Sequence, residues 1–511
     1  MHSLAMCAIR TFFFVFGSEN QEGRDSMKSL YDALRENRDS GICPMHMPGH
    51  KRNTQLFEME NPYGLDITEI DGFDNLHNAQ GILKESMEQA AALWGAKKTW
   101  YLINGSSCGV LAGIASCTQW GDEVLVSRNS HKSLYHALYQ NNLFPHYLCP
   151  EIIPGFEAAG GITPQAMETA LREHPNVKLV AITSPTYEGV ISDVKAIADL
   201  VHEKGIPLLV DEAHGAHLGF APGFPKSAVQ CGADLVVQSL HKTLPSLTQT
   251  AVLHLNGSLV QPAAVERQLS IYETSSPSYL LLASMDRCVQ FLWEYGRQAF
   301  SLYRENLEQF EKDLRHLSRF CILGRGKEME GRPGRHGIYA LDPSKIVLGS
   351  FQTALTGPQM MQSLRSTDKI ELEMAASFYV IAMTSLCDTK ENFQRLVHAF
   401  LRLEEEEKKK AAVSKKGLLQ NEKDITFTLP VKVMSLREAE SKKGKYMPLF
   451  ESEGLICRET IFAYPPGIPL IVPGEQIDKQ LLERIRLMQE TGVTLNHSGR
   501  EFDQRIDVVW E

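Results

Sequence analysis

Residues 233–250 read "ADLVVQSLHKTLPSLTQT". An apolar run passes directly into Ser239, His241 and Lys242, and hydroxyls and a proline follow. A lysine drawn into the interior is costly unless it is paired. In an open α/β sheet, a polar burst at the C-terminal end of a strand is where ligands bind. Lys242 is therefore the first candidate for chemistry, and the rest of the chain must supply its partner.

The surrounding sequence alternates. Strand-like runs occur at 99–103 (TWYLI), 123–127 (EVLVS), 178–183 (KLVAIT), 206–212 (IPLLVDE), 233–239 (ADLVVQS) and 251–255 (AVLHL). Helical patterns such as 164–174 and 194–205 lie between several of them. This alternation predicts an α/β domain over 85–300, a mostly parallel sheet with flanking helices. Before it, residues 27–84 read as an N-terminal arm that includes the Gly/Pro/His loop "GICPMHMPGHKRN" (41–53) and a helix starting near Ile82. After it, a long helical stretch (277–317) leads into a small α+β domain (301–401), with strands expected at 345–351 and 370–375. The charged run 402–420 reads as a solvated helix end and linker. Residues 421–511 form a C-terminal module.

Composition narrows the classes. The chain has 511 residues, 43% of them hydrophobic, and a net charge of −10. That length suggests roughly two to four domains. An acidic balance argues against a nucleic-acid surface. None of the ten cysteines forms a Cys-x-x-Cys pair, which points to reduced thiols and a cytoplasmic protein. The apolar stretch 4–17 is interrupted by Arg10 and is too short to span a bilayer. Residues 1–26 therefore read as an extension outside the working fold, and no membrane partner is expected.

The partner for Lys242 stands at 208–217, "LLVDEAHGAH". Asp211 ends one apolar strand, and Lys242 follows another about 30 residues later. An acid and an amine on neighbouring strand ends are what pyridoxal phosphate needs. The amine condenses with the aldehyde. The carboxylate keeps the pyridine nitrogen protonated, because a negative charge raises the pKa of a cation. A metal site is the competing reading of this acid and histidine cluster, but no third cluster falls at ligand spacing. No metal is expected.

"LINGSSCGVLAG" (102–113) runs a strand through a Gly-Ser-Ser turn into a helix, a phosphate-binding arrangement that places Ser106 and Ser107 at the helix start. Ser239 and His241 flank Lys242 and can reach the same phosphate. His131, in "VSRNSHKSLYHAL" (126–138), follows a further strand and suits the face of the ring. Ala213 suits the opposite face. Lys132 is a second candidate for the amine, ranked below Lys242 because it lacks an upstream aspartate strand.

"SLHKTLPSLTQTA" resembles the lysine signature of the Orn/Lys/Arg decarboxylase family of fold-type I pyridoxal phosphate enzymes. "MHMPGHKRN", "DITEIDGFDNLHNAQGIL", "NGSSCG", "RNSHKS", "SPTYEGVISD", "VDEAHGAH", "TSSPSY", "CDTKEN" and "YPPGIPLIVPGE" follow in that family's order. The likeness is to the short bacterial arginine/lysine type without the N-terminal wing domain. It implies Lys242 as the cofactor lysine, Asp211 at the pyridine nitrogen, and His131 and Ala213 on the ring faces, with His214 nearby. Some relatives carry tryptophan at that last position. It further implies Ser106, Ser107, Ser239 and His241 at the phosphate and Thr186 near the ring oxygen. Ser276 would reach a neighbouring subunit's cofactor, so a homodimer or higher oligomer is expected. Glu459 is the candidate for the substrate's distal cation, although Arg458 stands where the family has a small residue.

The implied reaction is decarboxylation of a basic amino acid, arginine to agmatine first, lysine to cadaverine next and ornithine third, supplying polyamine metabolism. Two rivals remain. Arg458 would suit an aminotransferase that grips an α-carboxylate, and a non-catalytic binding paralogue would need none of these residues.

Overall fold

The computed structural model describes residues 30–54, 61–324, 335–350, 352–410, 430–463, 467–498 and 500–510. The expected extension 1–26, residues 411–420 of the expected linker and residues 421–429 of the expected C-terminal module lie outside them. The described residues divide into two units: one reaches Ile42 and contains the helix Leu30–Asp39, and the other begins at Cys43.

The second unit is organised around a seven-stranded sheet. Its strands are β1 (Lys98–Leu102), β2 (Glu123–Ser127), β3 (Phe144–Leu148), β4 (Leu179–Thr183), β5 (Leu208–Asp211), β6 (Leu235–Gln238) and β7 (Ala251–Leu255). Their spatial order is β1-β7-β6-β5-β4-β2-β3. Five of them run parallel to their neighbours, from β6 to β3, whereas β7 is antiparallel to both β6 and β1. The reversal has a local cause. Only residues 239–250 connect β6 to β7, and they hold a single four-residue helix, Leu240–Thr243. A parallel return needs a longer crossover.

Six of the seven strands match the runs read from the sequence. The missed one, β3, contains Pro145 and pairs only with β2. Proline removes a ladder donor and is tolerated at a sheet edge, so the residue that hid the strand also fits its position. The stretch 41–53, read as a loop, contains a short strand, Cys43–Met45, parallel to Ile370–Leu372.

Helix α1 (Gly105–Cys117) lies close on the sheet: a Cβ on Gly109 would sit 2.6 Å from Leu102 and 2.9 Å from Val237 of β6. Helix α2 (Lys132–Gln140) follows β2, and the 36-residue α3 (Tyr279–Leu314) leads out of the domain. A second, antiparallel sheet follows, with β8 (Cys321–Ile322), β9 (Lys345–Gly349), β10 (Met374–Ala375) and β11 (Tyr379–Met383) in the order β8-β9-β11-β10.

Helix α4 (Lys390–Lys408) enters the charged run. There the solvated reading fails in part. Glu404 is 1% exposed, and its carboxylate accepts the backbone N–H groups of Ser318, Arg319 and Phe320. It closes the turn that follows α3. The C-terminal module has its own four-stranded sheet and core, built on Ile461, Ile471, Ile485 and Val508. It is joined to the large sheet through Arg128, whose buried guanidinium bonds Glu475 and the carbonyls of Pro469 and Leu470.

Candidate active site

Registry lines up the strand ends. Leu102 pairs with Ala251, Val252 with Gln238, Val237 with Asp211, and Asp211 with Thr183. The C-terminal ends of β1, β4, β5 and β6 therefore meet along one edge, where the parallel part of the sheet presents its loops.

Asp211 closes β5 and is buried. Its Oδ1 accepts the Ala213 N–H at 3.1 Å. Burial raises its pKa, and the Lys242 charge opposes that rise. Lys242 lies one helical step beyond β6. Burial lowers its pKa, while Asp211 and Glu373 pull the other way. The acid and the amine thus share one low-dielectric region and feel each other's charge. The Ser239 N–H bonds the Ala213 carbonyl at 3.3 Å, tying the two strand ends together.

His131 caps α2, with Nδ1 2.9 Å from Ser133 Oγ. Burial first, then the Lys242 charge, pushes its pKa down to about 3, so the ring is neutral near neutral pH. His241 donates from Nδ1 to the Thr250 carbonyl at 2.9 Å, and burial brings it down to about 4. Thr186 is buried and its hydroxyl oxygen accepts the Val190 N–H.

Pyridoxal phosphate fits these residues. Ser239 Oγ is buried with no hydrogen-bond partner among the described residues. Helix α1 has no side-chain cap at its N-terminus, where Ser106 is half-buried and Ser107 exposed. The Ile103 carbonyl just before α1 accepts from Gln249, whose neighbour Thr250 bonds His241. Uncapped N–H groups and two serines at one strand end, and a buried hydroxyl next to the amine's short helix at another, are the kinds of donor a phosphate ester needs.

Other expected residues lie apart from this group. Ser276 is exposed in the turn before α3, with its N–H on Thr274 Oγ1. Lys132 places its Nζ over the Phe462 ring, 5.6 Å from the centroid. Glu459 is engaged within the C-terminal module: Oε1 accepts Arg500 Nη2 at 2.7 Å and the Asp507 N–H at 2.8 Å. Arg458 donates to Asp507 Oδ2 at 2.6 Å and to the carbonyls of Ala439 and Glu440. Tyr464, Pro465 and Pro466 of the "YPPG" motif lie outside the described residues.

Three contributors escaped the sequence reading. Gly49 donates its N–H to the His241 carbonyl at 2.7 Å, and a Cβ there would lie 2.8 Å from the Leu244 backbone. The loop after Cys43–Met45 is thereby pressed onto the Lys242 turn. Glu373 accepts the Met47 N–H at 2.9 Å and the Tyr187 hydroxyl. Lys345, on β9, places Nζ 2.7 Å from His214 Nδ1, while Lys242 Nζ lies 3.0 Å from His214 Nε2. Only the glycine, inside a quoted motif, left a mark in the sequence. At the far edge of the sheet Glu123, His146 and His174 bring metal-type ligand atoms within 4.8 Å of one another. The Lys432 charge bears on His146 and is itself drawn by Glu123, which works against a cation there.

Comparison with known proteins agrees with this layout. The family described as "Orn/Lys/Arg decarboxylase, major domain" matches residues 28–325, and "Orn/Lys/Arg decarboxylase, C-terminal domain" matches 421–496. An arginine decarboxylase of Bacillus subtilis (strain 168) is 32% identical, covering 89% of this chain and 92% of its own length. An arginine decarboxylase of Halalkalibacterium halodurans is 33% identical, covering 96% and 99%. Among solved structures, a lysine decarboxylase of Francisella novicida superposes with a TM-score of 0.74 at 19% identity, over 97% of this chain and 80% of that one. A ureidoglycine–glyoxylate aminotransferase of Bacillus subtilis gives 0.54 at 14% identity, over 77% and 98%. At those identities the structures speak for the fold alone. Among the described residues, no helix is long and apolar enough to cross a membrane.

Proposed function

The chain belongs to the Orn/Lys/Arg decarboxylase family, and we propose that it removes the α-carboxylate of arginine, giving agmatine, with lysine the next substrate and ornithine the third. The observation that carries this reading is the placement of Asp211 and Lys242 just past adjacent parallel strands, the carboxylate buried, the amine half-buried, and each bearing on the other's pKa. The relatives at 32–34% identity that are named arginine decarboxylases support arginine as the first substrate.

Pyridoxal phosphate, when bound, supplies the electron sink that lets carbon dioxide depart. Lys242 is the amine that would hold the cofactor by its aldehyde carbon. Asp211 stays ionised against the pyridinium nitrogen, a cation that offsets the burial of the carboxylate. His131, held neutral, would lie against one face of the ring and Ala213 against the other. Ser106, Ser107, Ser239 and the start of α1 donate to the phosphate. His241 already spends Nδ1–H on Thr250, so it serves the phosphate through a second proton on Nε2, which a nearby dianion favours. Thr186 donates its hydroxyl to the ring oxygen. Ser276, exposed in one chain, reaches the cofactor of a second copy in a homodimer or larger assembly. Glu459 receives the distal cation of the substrate, exchanging it for Arg500. The enzyme works in the cytoplasm and feeds polyamine synthesis.

Aminotransfer loses its main support, because Arg458 is committed to Asp507 and two carbonyls. The test supplies pyridoxal phosphate and carboxyl-labelled arginine, lysine and ornithine side by side. Release of labelled carbon dioxide, fastest with arginine, is the expected result. A 2-keto acid with the label retained overturns the reading. Lys242→Ala is expected to lose both the reaction and the visible absorption band of the attached cofactor.

A further inference from the structure

His214 sits between two amines, and hydrogen-bond accounting limits their charges. A lysine ammonium only donates. A neutral imidazole offers one donor and one acceptor; an imidazolium offers two donors. With Lys345 Nζ 2.7 Å from Nδ1 and Lys242 Nζ 3.0 Å from Nε2, two ammonium groups cannot both be satisfied. At least one amine must present its lone pair.

The geometry assigns the charges. Between like donor and acceptor types, the charge-assisted bond is the shorter one. Lys345 makes the shorter contact and also stands over the Tyr187 ring, 5.4 Å from its centroid. Tyr187 in turn packs edge-on against His214 at 4.7 Å. Asp342, three residues before Lys345, has one buried carboxylate oxygen with no partner. Gly189 is bare where the lysine stem crosses; a Cβ there would lie 2.8 Å from both Cβ and Cγ of Lys345. The path from β9 to His214 is thus a fitted one.

We propose that Lys345, as an ammonium, fixes His214 in the tautomer whose Nε2–H points at Lys242, and so keeps the Lys242 amine neutral and nucleophilic. Lys345 is a positioning residue acting through His214. The inference rests on Lys242 being the cofactor-binding amine. A nucleophilic amine must shed its proton before it attacks a carbonyl carbon, and this arrangement has the proton removed in advance. The charged and titratable groups facing Lys345 are Asp342, Glu373, Glu188, Lys242 and His214, with Tyr187 beneath it. Lys242 faces Asp211 and Glu373, whose charges favour its ammonium, and His131, His214 and His241; burial and the Nε2–H of His214 oppose those two carboxylates and favour the neutral amine. Burial brings Lys345 down to about 8 and drives His214 well below the usual imidazole range. A charged Lys345 beside a neutral His214 is therefore the state expected near neutral pH.

The test uses the full chain freed of cofactor. Isotopic reductive methylation, read by peptide mass, gives the pH midpoint of Lys242 reactivity. Wild type and Lys345→Arg, which keeps the charge and the donor, are expected to share a midpoint below the ordinary lysine range. Lys345→Met and His214→Gln are expected to raise it by about one pH unit or more. Nitrogen-15 spectra of histidine-labelled wild type report the tautomer directly, without any variant, and His214 is expected to carry its proton on Nε2. A proton on Nδ1, or a Lys345→Met midpoint equal to wild type, overturns the proposal. Borohydride reduction of the loaded enzyme followed by peptide mapping checks the premise separately. Cofactor found on another lysine defeats the reading of Lys242 itself; cofactor on Lys242 with an unmoved midpoint defeats only the role of Lys345.

Discussion

Arg128 and Glu475 meet as a buried two-point ion pair, Nε to Oε1 at 3.2 Å and Nη2 to Oε2 at 3.0 Å, across 347 residues of chain. Arg128 stands three residues before His131, so the contact that docks the C-terminal module also holds the loop carrying the histidine proposed for the ring face. Removing one partner leaves a buried charge uncompensated. Glu475→Ala is expected to cost about 3–5 kcal/mol of stability in urea unfolding and to weaken cofactor binding as well. Unchanged unfolding would mean that the pair contributes nothing to docking.

Ser239 gives a cleaner separation of fold from site. Its hydroxyl has no partner among the described residues, so Ser239→Ala should leave the melting temperature nearly unchanged. A hydrogen bond to a charged group contributes about 1.5–3 kcal/mol, so pyridoxal phosphate affinity should fall about 10- to 100-fold. Fluorescence titration of the stripped enzyme measures it, and an unaltered dissociation constant would remove Ser239 from the phosphate site.

Gly49 is expected to tolerate no side chain. A Cβ would press on the Leu244 backbone at 2.8 Å, two residues past Lys242. Overpacking of this kind costs about 1–3 kcal/mol. Gly49→Ala should therefore lower both the melting temperature and kcat, whereas Gly64→Ala, with open space around it, should change neither.

Glu273 makes stability depend on pH. Its carboxylate accepts the Ile103 N–H at 3.0 Å just ahead of α1, and burial raises its pKa to about 7. The unfolded carboxyl titrates near about 4.3. Between those values the folded chain binds more protons than the unfolded one, so stability contributed by this group falls as pH rises from about 4.3 to 7 and is level above. Denaturant midpoints measured across that range should slope downward in wild type and be flatter in Glu273→Gln. Equal slopes would show that Glu273 is already ionised throughout.

Glu459 tests substrate recognition. If it receives the distal cation, Glu459→Gln should raise KM for arginine more than it lowers kcat, since that contact is made before and during the reaction alike. An effect on stability alone, through the lost Arg500 pair, would place the substrate's cation elsewhere.

The legible parts of this protein were those with local causes. Alternation of apolar runs and helical periods yielded six of seven strands, and β3 was hidden by Pro145, a residue acceptable there only because the strand lies at an edge. Glu404 was read with its charged neighbours, since nothing in "EEEE" tells which carboxylate turns inward to three backbone N–H groups. Lys345 is equally mute in "DPSKIVLG". The histidine it meets is 131 residues away.

The sequence by itself determined the α/β class and the polar strand ends bearing Asp211 and Lys242, because side-chain periodicity and turn chemistry act over a few residues. Only the tertiary structure decided that Glu459 pairs with Arg500 and that a second lysine reaches His214. Those outcomes depend on which distant groups share one desolvated space, where an amine's charge is set by its neighbours rather than by its own type.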